Sequence, residues 1–364
     1  MASIRQKPNG NWEARYYAGP KLRARTFGTK KEAARFAAHQ RVAIDQGTWR
    51  DPKDSRIRFS EWVEIWEQSL GHIRDTTRAS YEATVRNHLL PVFGQYRLSD
   101  IDPTAITNWV NDCRGKGMGA PTLAKANRLL AQIMNAAVRA RRIPSSPMPD
   151  HSPREPETEM RFLNAEQVAE LATEIGPHHA PLVFTAAYTG LRWGELAGLR
   201  TRNVDLLHSR LTVIEQLTEI KGPPRYVEPK TKASRRAVTL PAFLIPMLEP
   251  LLGRETDPVF RSTGGMLLRR HVFRQRAWVP ATRACDIEGV RFHDLRHTAV
   301  ALAISAGAHP KAIQQRMGHK SITLTLDRYG HLFPGTDDAL ATALDTLHHA
   351  APNSRQRRAS ITVL

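Results

Sequence analysis

The chain has 364 residues, which is long enough for two or three domains of ordinary size. Its 53 Lys and Arg residues outnumber its 35 Asp and Glu residues and leave a formal net charge of +18. Such an excess is typical of proteins that bind polyanions, nucleic acid above all. The sequence has no long apolar segment, and MASIRQKPNG at its start does not look like a secretion signal, so we expect a cytoplasmic protein without membrane contact.

The cysteine and carboxylate patterns give no sign of a metal or cofactor. Cys113 and Cys285 are the only cysteines, and they lie too far apart in sequence to form a metal-ligand pair. They favour a reducing compartment. No cluster of His, Cys or paired carboxylates is evident in the sequence, and we expect neither a metal nor a cofactor.

Residues 1–54 predict a small basic domain. NWEARYY and KLRARTFG alternate like two strands around the turn AGPK, and KKEAARFAAHQRVAIDQG predicts a helix that ends at Gly47. The alternation places Arg23 and Arg25 on one face of the sheet. A small sheet that presents arginines can enter a DNA groove, so we expect Arg15, Arg23 and Arg25 to contact DNA; the alternative is an ordinary solvated strand face.

Residues 56–146 predict a bundle of four helices. Their sequences are FSEWVEIWEQSL, TTRASYEATVRNHLLPVFG, DPTAITNWVNDCRGKG and APTLAKANRLLAQIMNAAVRARR. Ser60 is the expected N-cap of the first, and Pro91 and Gly94 are the expected end of the second.

The tryptophans and cations of this bundle have different expected roles. Trp62 and Trp66 have the spacing of a buried helix face and are expected in the core rather than stacked on bases. Four cations of these helices either contact phosphate or are simply solvated: Arg78, Arg86, Lys125 and Arg128.

The segment IPSSPMPDHSPREPETEMRF is rich in Pro, Ser and Glu and predicts an interdomain linker, residues 147–161. Two modules joined by such a linker could close around a duplex. Residues 162–350 then predict a mainly helical domain with the strands RLTVIEQ, YVEPKT and RAVTLP, of which the last two form a hairpin around KTKASR. Residues 351–364 are left as a C-terminal tail.

Cationic or titratable residues begin several of the predicted helices. Arg192 follows Gly190 in TGLRWGEL, RFHDLRHTAVALAISAG opens with His293 and Arg296, and RMGHKS puts His319 directly after a glycine. A helix N-terminus presents free N–H groups and a positive dipole end, so a cation there lacks a favourable local partner and favours an anion. Three such corners predict one shared anion.

A phosphodiester would meet this requirement. Its cleavage needs a nucleophile, stabilisation of charge on the non-bridging oxygens, and a proton for the leaving oxygen. Because no metal cluster is evident, the charge stabilisation would fall to arginines. Tyr329 in LDRYGHL is the expected nucleophile, since a tyrosine oxygen can form an ester with phosphorus.

Taken in order, TGLRWGELAGL, EPKTKASRRAVTLP, FHDLRHTAVAL and MGHKSITLTLDRYGH resemble the motifs of tyrosine recombinases of the phage integrase type. Upstream, TTRASYEATVRNHLLPVFGQYRLSDI is similar to the core-DNA-binding helical domain of that family, and GNWEARYY with TFGTKKEA to the arm-site-binding domain of some integrases. The resemblance implies a multidomain α+β protein: a sheet-plus-helix arm-binding domain (1–54), an all-α SAM-like core-binding domain (56–146) and a mainly helical catalytic domain (162–350) with a small antiparallel sheet, the DNA breaking-rejoining enzyme fold.

The resemblance also implies roles for individual residues. Arg192 and Arg296 would hold the non-bridging oxygens of the scissile phosphate, with Glu195 as an acidic support residue that orients rather than reacts. Lys230 matches the hairpin lysine that protonates the departing 5′-oxygen, and Lys232 is a nearby rival.

The histidines complete the implied site. His293 and His319 would orient the phosphate and assist proton transfer, with His293 as the base near Tyr329. His297 is expected to be structural and to bond a nearby backbone carbonyl.

The activity implied is site-specific recombination, by way of a 3′-phosphotyrosyl link and a Holliday junction, without ATP or metal. The implied partners are double-stranded DNA at core and arm attachment sites, further copies of the chain in a tetramer, a host DNA-bending protein and an excisionase. The setting would be the cytoplasm and nucleoid of a bacterial host. The tail, residues 351–364, either adds a strand to a neighbouring protomer or is frayed.

Three alternatives differ in what they require. A catalytically inactive DNA-binding relative would have at least one of the six catalytic positions replaced, and none is. A type IB topoisomerase would relax plasmids of arbitrary sequence, whereas the basic N-terminal module favours an integrase. A zinc site at HDLRH has Asp294 in its second position and leaves the other motifs unexplained.

Overall fold

The computed structural model describes residues 2–18, 20–46, 56–151, 153, 160–220, 222–229, 234–319, 321–332 and 336–350. The chain divides into two compact units, Met1–Glu157 and Thr158–Leu364. The boundary between them falls inside the segment that the sequence predicts as a linker. The finer division of the first unit, into residues 1–54 and 56–146, stays a prediction.

The first unit begins with a three-stranded antiparallel sheet of β1 (Ala2–Gln6), β2 (Trp12–Ala18) and β3 (Lys21–Phe27), in that order. Helix α1 (Lys30–Asp45) follows, and a capping box between Thr29 and Glu32 begins it. The sequence predicts β2, β3 and α1. It misses β1, because ASIRQ carries only one large apolar residue and has little alternation to detect.

Arg23 and Arg25 lie on the helix side of this sheet. They pair directly opposite Tyr16 and Ala14 of β2, which belong to the buried face, and directly opposite residues of antiparallel strands point to the same side. Arg25 lies over the Phe36 ring of α1, 5.3 Å from its centroid.

Arg15 lies on the other face, where it pairs with Glu13 at 2.7 Å. The three arginines expected to contact DNA therefore lie on two faces of the sheet, and their contact with DNA stays a prediction. The predicted alternation is confirmed, but the packing of α1 decides which face is covered.

A helical bundle follows, and its helices are α2 (Phe59–Gln68), α3 (Asp75–Thr84), α4 (Leu90–Phe93), α5 (Pro103–Gly115) and α6 (Ala120–Arg139). One predicted start is wrong, because Arg58, not Ser60, is the N-cap of α2. Gly94 is the C-cap of α4, as predicted, whereas Pro91 lies within α4, shortly after the π-helical turn Val85–Leu89, and does not end the helix.

The tryptophans of the bundle are buried, as predicted. Trp62 and Trp66 pack in one apolar cluster with Trp109, and the indole N–H of Trp62 donates to the carbonyl of Ile133 at 3.1 Å. This bond satisfies the polar end of a buried ring. These side chains are core residues, not surfaces for stacked bases.

The second unit contains ten α-helices and five strands among its described residues. They are α7 (Ala165–Glu174), α8 (Ala180–Thr189), α9 (Trp193–Ala197), β4 (Val204–Asp205), β5 (Arg210–Val213), β6 (Gln216–Thr218), β7 (Arg225–Val227), β8 (Arg236–Thr239), α10 (Ile245–Leu248), α11 (Arg270–Phe273), α12 (Val279–Ala284), α13 (Asp294–Ser305), α14 (Pro310–Met317), α15 (Ile322–Tyr329) and α16 (Thr336–Ala350).

The strands of this unit do not pair as predicted. RLTVIEQ divides into β5 and β6; β8 pairs with β5 in the order β4-β5-β8, and β7 pairs with β6. The expected hairpin of YVEPKT with RAVTLP is therefore wrong. Leu211 of β5 lies opposite Val238 of β8, and both are buried, so this pairing buries one apolar face that a β7–β8 hairpin would leave incomplete.

Gly190 ends α8 at a point of close helix contact. Its φ is +68°, in the left-handed region that favours glycine. A Cβ at this position would lie 2.5 Å from the side chain of Met317 and 3.2 Å from that of Ala299. The end of α8 therefore sits directly against α13 and α14.

Replacement of Gly190 tests this packing. Gly307 is a matched control, because its φ is +75° but a Cβ there would meet nothing within 4 Å. We expect Gly307→Ala to lower the free energy of unfolding by about 1–2 kcal/mol through backbone strain alone. Gly190→Ala should cost about 1–3 kcal/mol more, because Met317 must move. Urea denaturation measures both, and equal losses would contradict the close approach.

Candidate active site

The guanidinium of Arg296 lies where three helices meet. It is 5% exposed, and it donates through Nη1 to the carbonyl of Gly190 and through Nη2 to the carbonyl of Met317. These carbonyls stand at the C-terminal ends of α8 and α14, which end at the left-handed glycines Gly190 and Gly318. The three corners singled out in the sequence thus meet at one side chain.

Helix geometry explains how a buried cation is held there. Carbonyls at helix C-termini carry partial negative charge and have no partner within the helix. Burial, to which the positive charge of Arg192 adds, lowers the pKa of Arg296 to about 9, and Arg296 stays protonated at neutral pH. The neighbouring positive charges therefore disfavour the protonated form of Arg296.

Arg192 and Arg236 share one buried carboxylate. Glu195 is 2% exposed and accepts hydrogen bonds from the backbone N–H of Arg192 at 2.9 Å and from its Nη1 at 3.0 Å. It also accepts two from Arg236, at 2.9 and 3.2 Å. The expectation that Arg192 lacks a local anionic partner is therefore wrong. Its side chain nevertheless stays 38% exposed.

The charge state of Glu195 follows from these bonds. Burial acts to raise the pKa of its carboxyl, but the hydrogen bonds and positive charges of Arg236 and Arg192 outweigh burial and leave the pKa below its ordinary value. Glu195 is ionised at neutral pH. It orients both guanidinium groups, which agrees with the supporting position expected for it.

Arg236 is a site residue that the sequence analysis missed. Besides its two bonds to Glu195, its Nε donates to the carbonyl of Arg316 at 2.7 Å, so it joins β8 to α9 and α14. Strand alternation carries a signal for it. Arg236 and buried Val238 stand two residues apart in β8 and so point to the same side of the strand.

Two histidines flank the arginines. His293 is the N-cap residue of α13, and His319 follows Gly318 and shares a 2.9 Å hydrogen bond between its Nδ1 and Oγ1 of Thr325. Burial, together with nearby positive charge that includes Arg296, lowers the pKa of both imidazoles to about 4. Both rings are neutral at pH 7 and lie close to the cations.

The phenol of Tyr329 points into the same region. Tyr329 ends α15, is 3% exposed, and shares a 2.6 Å hydrogen bond between its Oη and Nδ1 of His297. The expectation that His297 bonds a backbone carbonyl is therefore wrong. Burial raises the pKa of Tyr329, and the positive charges of Arg296 and Arg328 oppose this rise.

Several predicted residues lie outside the described part of the chain. Lys230 and Lys232 belong to the connection between β7 and β8, and neither is among the described residues. The same holds for the tail, residues 351–364. Their expected roles stay predictions.

The four cations predicted on the helical bundle lie on or beside α3 and α6. Lys125 Nζ donates to Oγ of Ser80 at 2.6 Å and so joins the two helices, and Arg78 donates to the carbonyl of Leu70 at 2.9 Å. Arg86, Lys125 and Arg128 are exposed, and Arg78 is half-buried. Their contact with DNA stays a prediction.

Comparison with known proteins gives the family. The profile of the phage integrase family matches residues 161–335, and that of the N-terminal SAM-like domain of phage integrases matches residues 58–113. The phiRv2 prophage integrase of Mycobacterium tuberculosis is 30% identical over 363 residues, which cover 94% of this chain and 95% of the relative. The chain belongs to the phage integrase family of tyrosine recombinases.

Solved integrase structures have the same fold as this tyrosine recombinase. The Tn1549 transposon integrase in complex with a circular intermediate DNA has a TM-score of 0.69 at 18% identity, over 80% of this chain and 99% of that chain. A lambda integrase tetramer bound to a Holliday junction gives 0.56 at 17%, over 88% and 96%. The predicted fold class is confirmed. In the described part of the recombinase, no helix has the length and apolar character to cross a membrane.

The buried carboxylate makes Arg236 and its neighbour Arg235 an informative pair. Arg236→Met leaves Glu195 as a buried charge with one partner fewer, and we expect a loss of about 3–5 kcal/mol in the free energy of unfolding. Arg235 pairs with Glu228 on the surface, with both side chains more than half exposed. Arg235→Met should therefore change stability by about 1 kcal/mol or less, as measured by urea denaturation at pH 7.

At acidic pH, the difference in the free energy of unfolding between Arg236→Met and the wild type should become smaller. The pKa of Glu195 is lowered in the fold, so its contribution is present above the unfolded value and is lost as pH falls through the folded value. In Arg236→Met, the carboxyl can protonate at a higher pH and so escape its penalty. We expect the difference in stability at pH 4 to be smaller than at pH 7; a constant difference would mean that Glu195 is not the anion that Arg236 holds.

Proposed function

We propose that this chain is a site-specific DNA recombinase that cuts and rejoins DNA through a 3′-phosphotyrosyl intermediate and so integrates or excises a mobile element. The observation that carries this proposal is the meeting of a buried arginine with the ends of α8, α13 and α14, beside a tyrosine hydroxyl. Family membership supports the same chemistry.

Electrostatics support a phosphodiester as the ligand. Among the described residues, Glu195 pairs with Arg192 and Arg236 and also acts electrostatically on Arg296, so one carboxylate faces three guanidinium groups and leaves them with a net positive charge. A guanidinium has five N–H donors, and Arg296 uses only two nitrogens for backbone carbonyls, which leaves N–H groups for the non-bridging oxygens. A phosphate would relieve the repulsion that lowers the pKa of Arg296.

The proposed cleavage step combines these groups with the lysine that the family resemblance implies. Oη of Tyr329 forms a bond to phosphorus as the bond from phosphorus to the 5′-oxygen breaks. Lys230, with Lys232 as its rival, gives the leaving oxygen its proton, and Arg192 and Arg296 hold the non-bridging oxygens. The phosphotyrosyl ester conserves the bond energy, so a 5′-hydroxyl of a partner strand can reverse the step without ATP.

Two DNA sites and four copies of the chain would complete the reaction. The lambda integrase whose fold this chain shares is a tetramer bound to a Holliday junction, and the formal net charge of +18 suits a DNA partner. We assign residues 1–54 to arm sites and residues 56–146 to core sites, and place Arg78, Arg86, Lys125 and Arg128 along the backbone of the core site. A host DNA-bending protein and an excisionase are the further partners proposed, in the nucleoid of a bacterial cell.

A covalent adduct tests the nucleophile. The probe is a pool of nicked duplexes of randomised sequence, in which the short fragment with the new 5′-hydroxyl diffuses away and traps the cut state. We expect wild type to form DNA-linked protein that survives denaturing electrophoresis, and Tyr329→Phe to lose at least about 10³-fold of it. Tyr96→Phe, at an exposed tyrosine, should match wild type. An adduct of undiminished yield from Tyr329→Phe would reject the assignment.

A sulfur-substituted substrate separates the two lysines. The substrate is the DNA sequence recovered from the wild-type adduct with the randomised pool. We expect Lys230→Ala to cut it about 10²–10⁴-fold more slowly than wild type, because the leaving 5′-oxygen lacks its acid. With a bridging sulfur at that position, the leaving thiolate needs no proton, and Lys230→Ala should cut at the wild-type rate. Lys232→Ala should resemble wild type on both substrates. The reverse pattern would make Lys232 the acid.

A further inference from the structure

Tyr329, the proposed nucleophile, is hydrogen-bonded to His297, which the sequence predicts to be a structural residue. The 2.6 Å bond between Tyr329 Oη and His297 Nδ1 is buried, and His297 is only 6% exposed. No hydrogen bond joins His293 to Tyr329 within the described residues; the His293 ring instead packs edge-on against the His297 ring, 5.6 Å between centroids. His297 is thus the imidazole in contact with the reacting oxygen.

We propose, resting on the recombinase chemistry proposed for this chain, that His297 is the general base that accepts the Tyr329 proton during strand cleavage. Its Nδ1 is the atom that receives the proton, and the ring proton of the resting state is on Nε2. His293 then has a different task, as a neutral donor to the phosphate.

The surroundings of the pair suit this transfer. Burial lowers the pKa of His297, so its ring is neutral and can accept a proton at pH 7, while burial raises the pKa of Tyr329, so the phenol keeps its proton until a base takes it. The charges that face His297 are Asp294, Arg291 and Arg296 beside it and Arg328 on α15. Without a base, attack by this buried phenol would be slow.

Asp294 supplies the counter-charge for the imidazolium that forms. It stands one helical turn before His297 on α13, is 2% exposed, and is fixed by hydrogen bonds from the backbone N–H and the guanidinium of Arg291 at 2.7 and 2.8 Å. Its negative charge raises the pKa of His297 and so opposes the effect of burial. A held carboxylate beside an imidazole stabilises the protonated ring as the transfer proceeds.

Protons balance over the full cycle. In cleavage, the bond from Oη to phosphorus forms, the phenolic proton moves to His297 Nδ1, the bond from phosphorus to the 5′-oxygen breaks, and Lys230 protonates that oxygen. In rejoining, a 5′-hydroxyl gives its proton to the lysine and attacks phosphorus, and His297 returns its proton to Oη. No external oxidant, reductant or base is consumed.

The test measures single-turnover cleavage of a duplex that has the recovered sequence and a sulfur in place of the leaving 5′-oxygen. This leaving group needs no acid, so the measurement reports on the base. For the full-length wild type, the cleavage rate should fall as the pH is lowered, with a midpoint below the ordinary imidazole pKa of 6.5. This fall is the low-pH limb of the rate profile. His297→Asn places an amide near Nδ1 that can hydrogen-bond but cannot take the proton. We expect it to cut about 10²–10⁴-fold more slowly at pH 7, with unchanged affinity for the duplex and without the low-pH limb.

Two control variants fix the interpretation. His293→Asn should keep the low-pH limb, because His293 does not take the proton. His208→Asn should behave as wild type, since His208 bonds Asp205 at 2.7 Å on the surface, with its side chain 68% exposed. The proposal is overturned if His297→Asn cuts within about threefold of wild type, if it keeps the limb, or if the limb disappears in His293→Asn instead.

A measurement on the wild type covers the case in which His297→Asn does not fold. Nitrogen-15 NMR of the histidine rings reports which nitrogen carries the proton; we expect Nε2 for His297, and a proton on Nδ1 would overturn the proposal, because Nδ1 would then donate to Tyr329. Failure of the recombinase proposal itself has a separate signature. In that case, wild type forms no adduct with any duplex in the pool, whatever the state of His297.

Discussion

The buried guanidinium of Arg296 is the constraint on which the site depends. Its two bonds to the carbonyls of Gly190 and Met317 tie the ends of α8 and α14 to the start of α13. One side chain therefore satisfies the carbonyls of two helix ends and, on the proposed chemistry, also holds the phosphate. The left-handed turn at Gly190 is part of the same arrangement, because any side chain there would push Met317 away. Catalytic geometry and helix packing cannot be varied separately at this point.

A second constraint is the ratio of positive to negative charge. Glu195 is buried among Arg192 and Arg236 and fixes both, but a single carboxylate does not neutralise the cations around it. Burial strengthens each of these interactions and makes the uncompensated charge costly. On the proposed chemistry, a bound phosphate would relieve the repulsion among the arginines, and part of the affinity for the phosphate would come from that relief.

The sequence predicted most of the elements and the order of the site residues, but not the partners that only packing creates. Gly190, Arg192 and Arg296 stand at helix boundaries that turn and cap signals reveal. The bond of His297 to Tyr329 spans 32 positions along the chain, and no local pattern reports it. Strand alternation located β7 and β8 but not their partners, because alternation fixes which side is buried and leaves the neighbour open. Alternation likewise indicates the side to which Arg236 points but not its partners, Glu195 and the carbonyl of Arg316, which lie on other elements.

The place of Tyr329 in its own chain has a consequence for how subunits share the work. Tyr329 packs in an apolar cluster with Val300, Ile304 and Met317 of α13 and α14, a few side chains from Arg296. The proposed nucleophile and the proposed phosphate-binding groups therefore come from the same polypeptide. On the proposed chemistry each protomer cleaves in cis, so a subunit without its tyrosine cannot be complemented by a neighbour, and the coordination of four cuts must come from contacts between protomers and not from borrowed active-site residues.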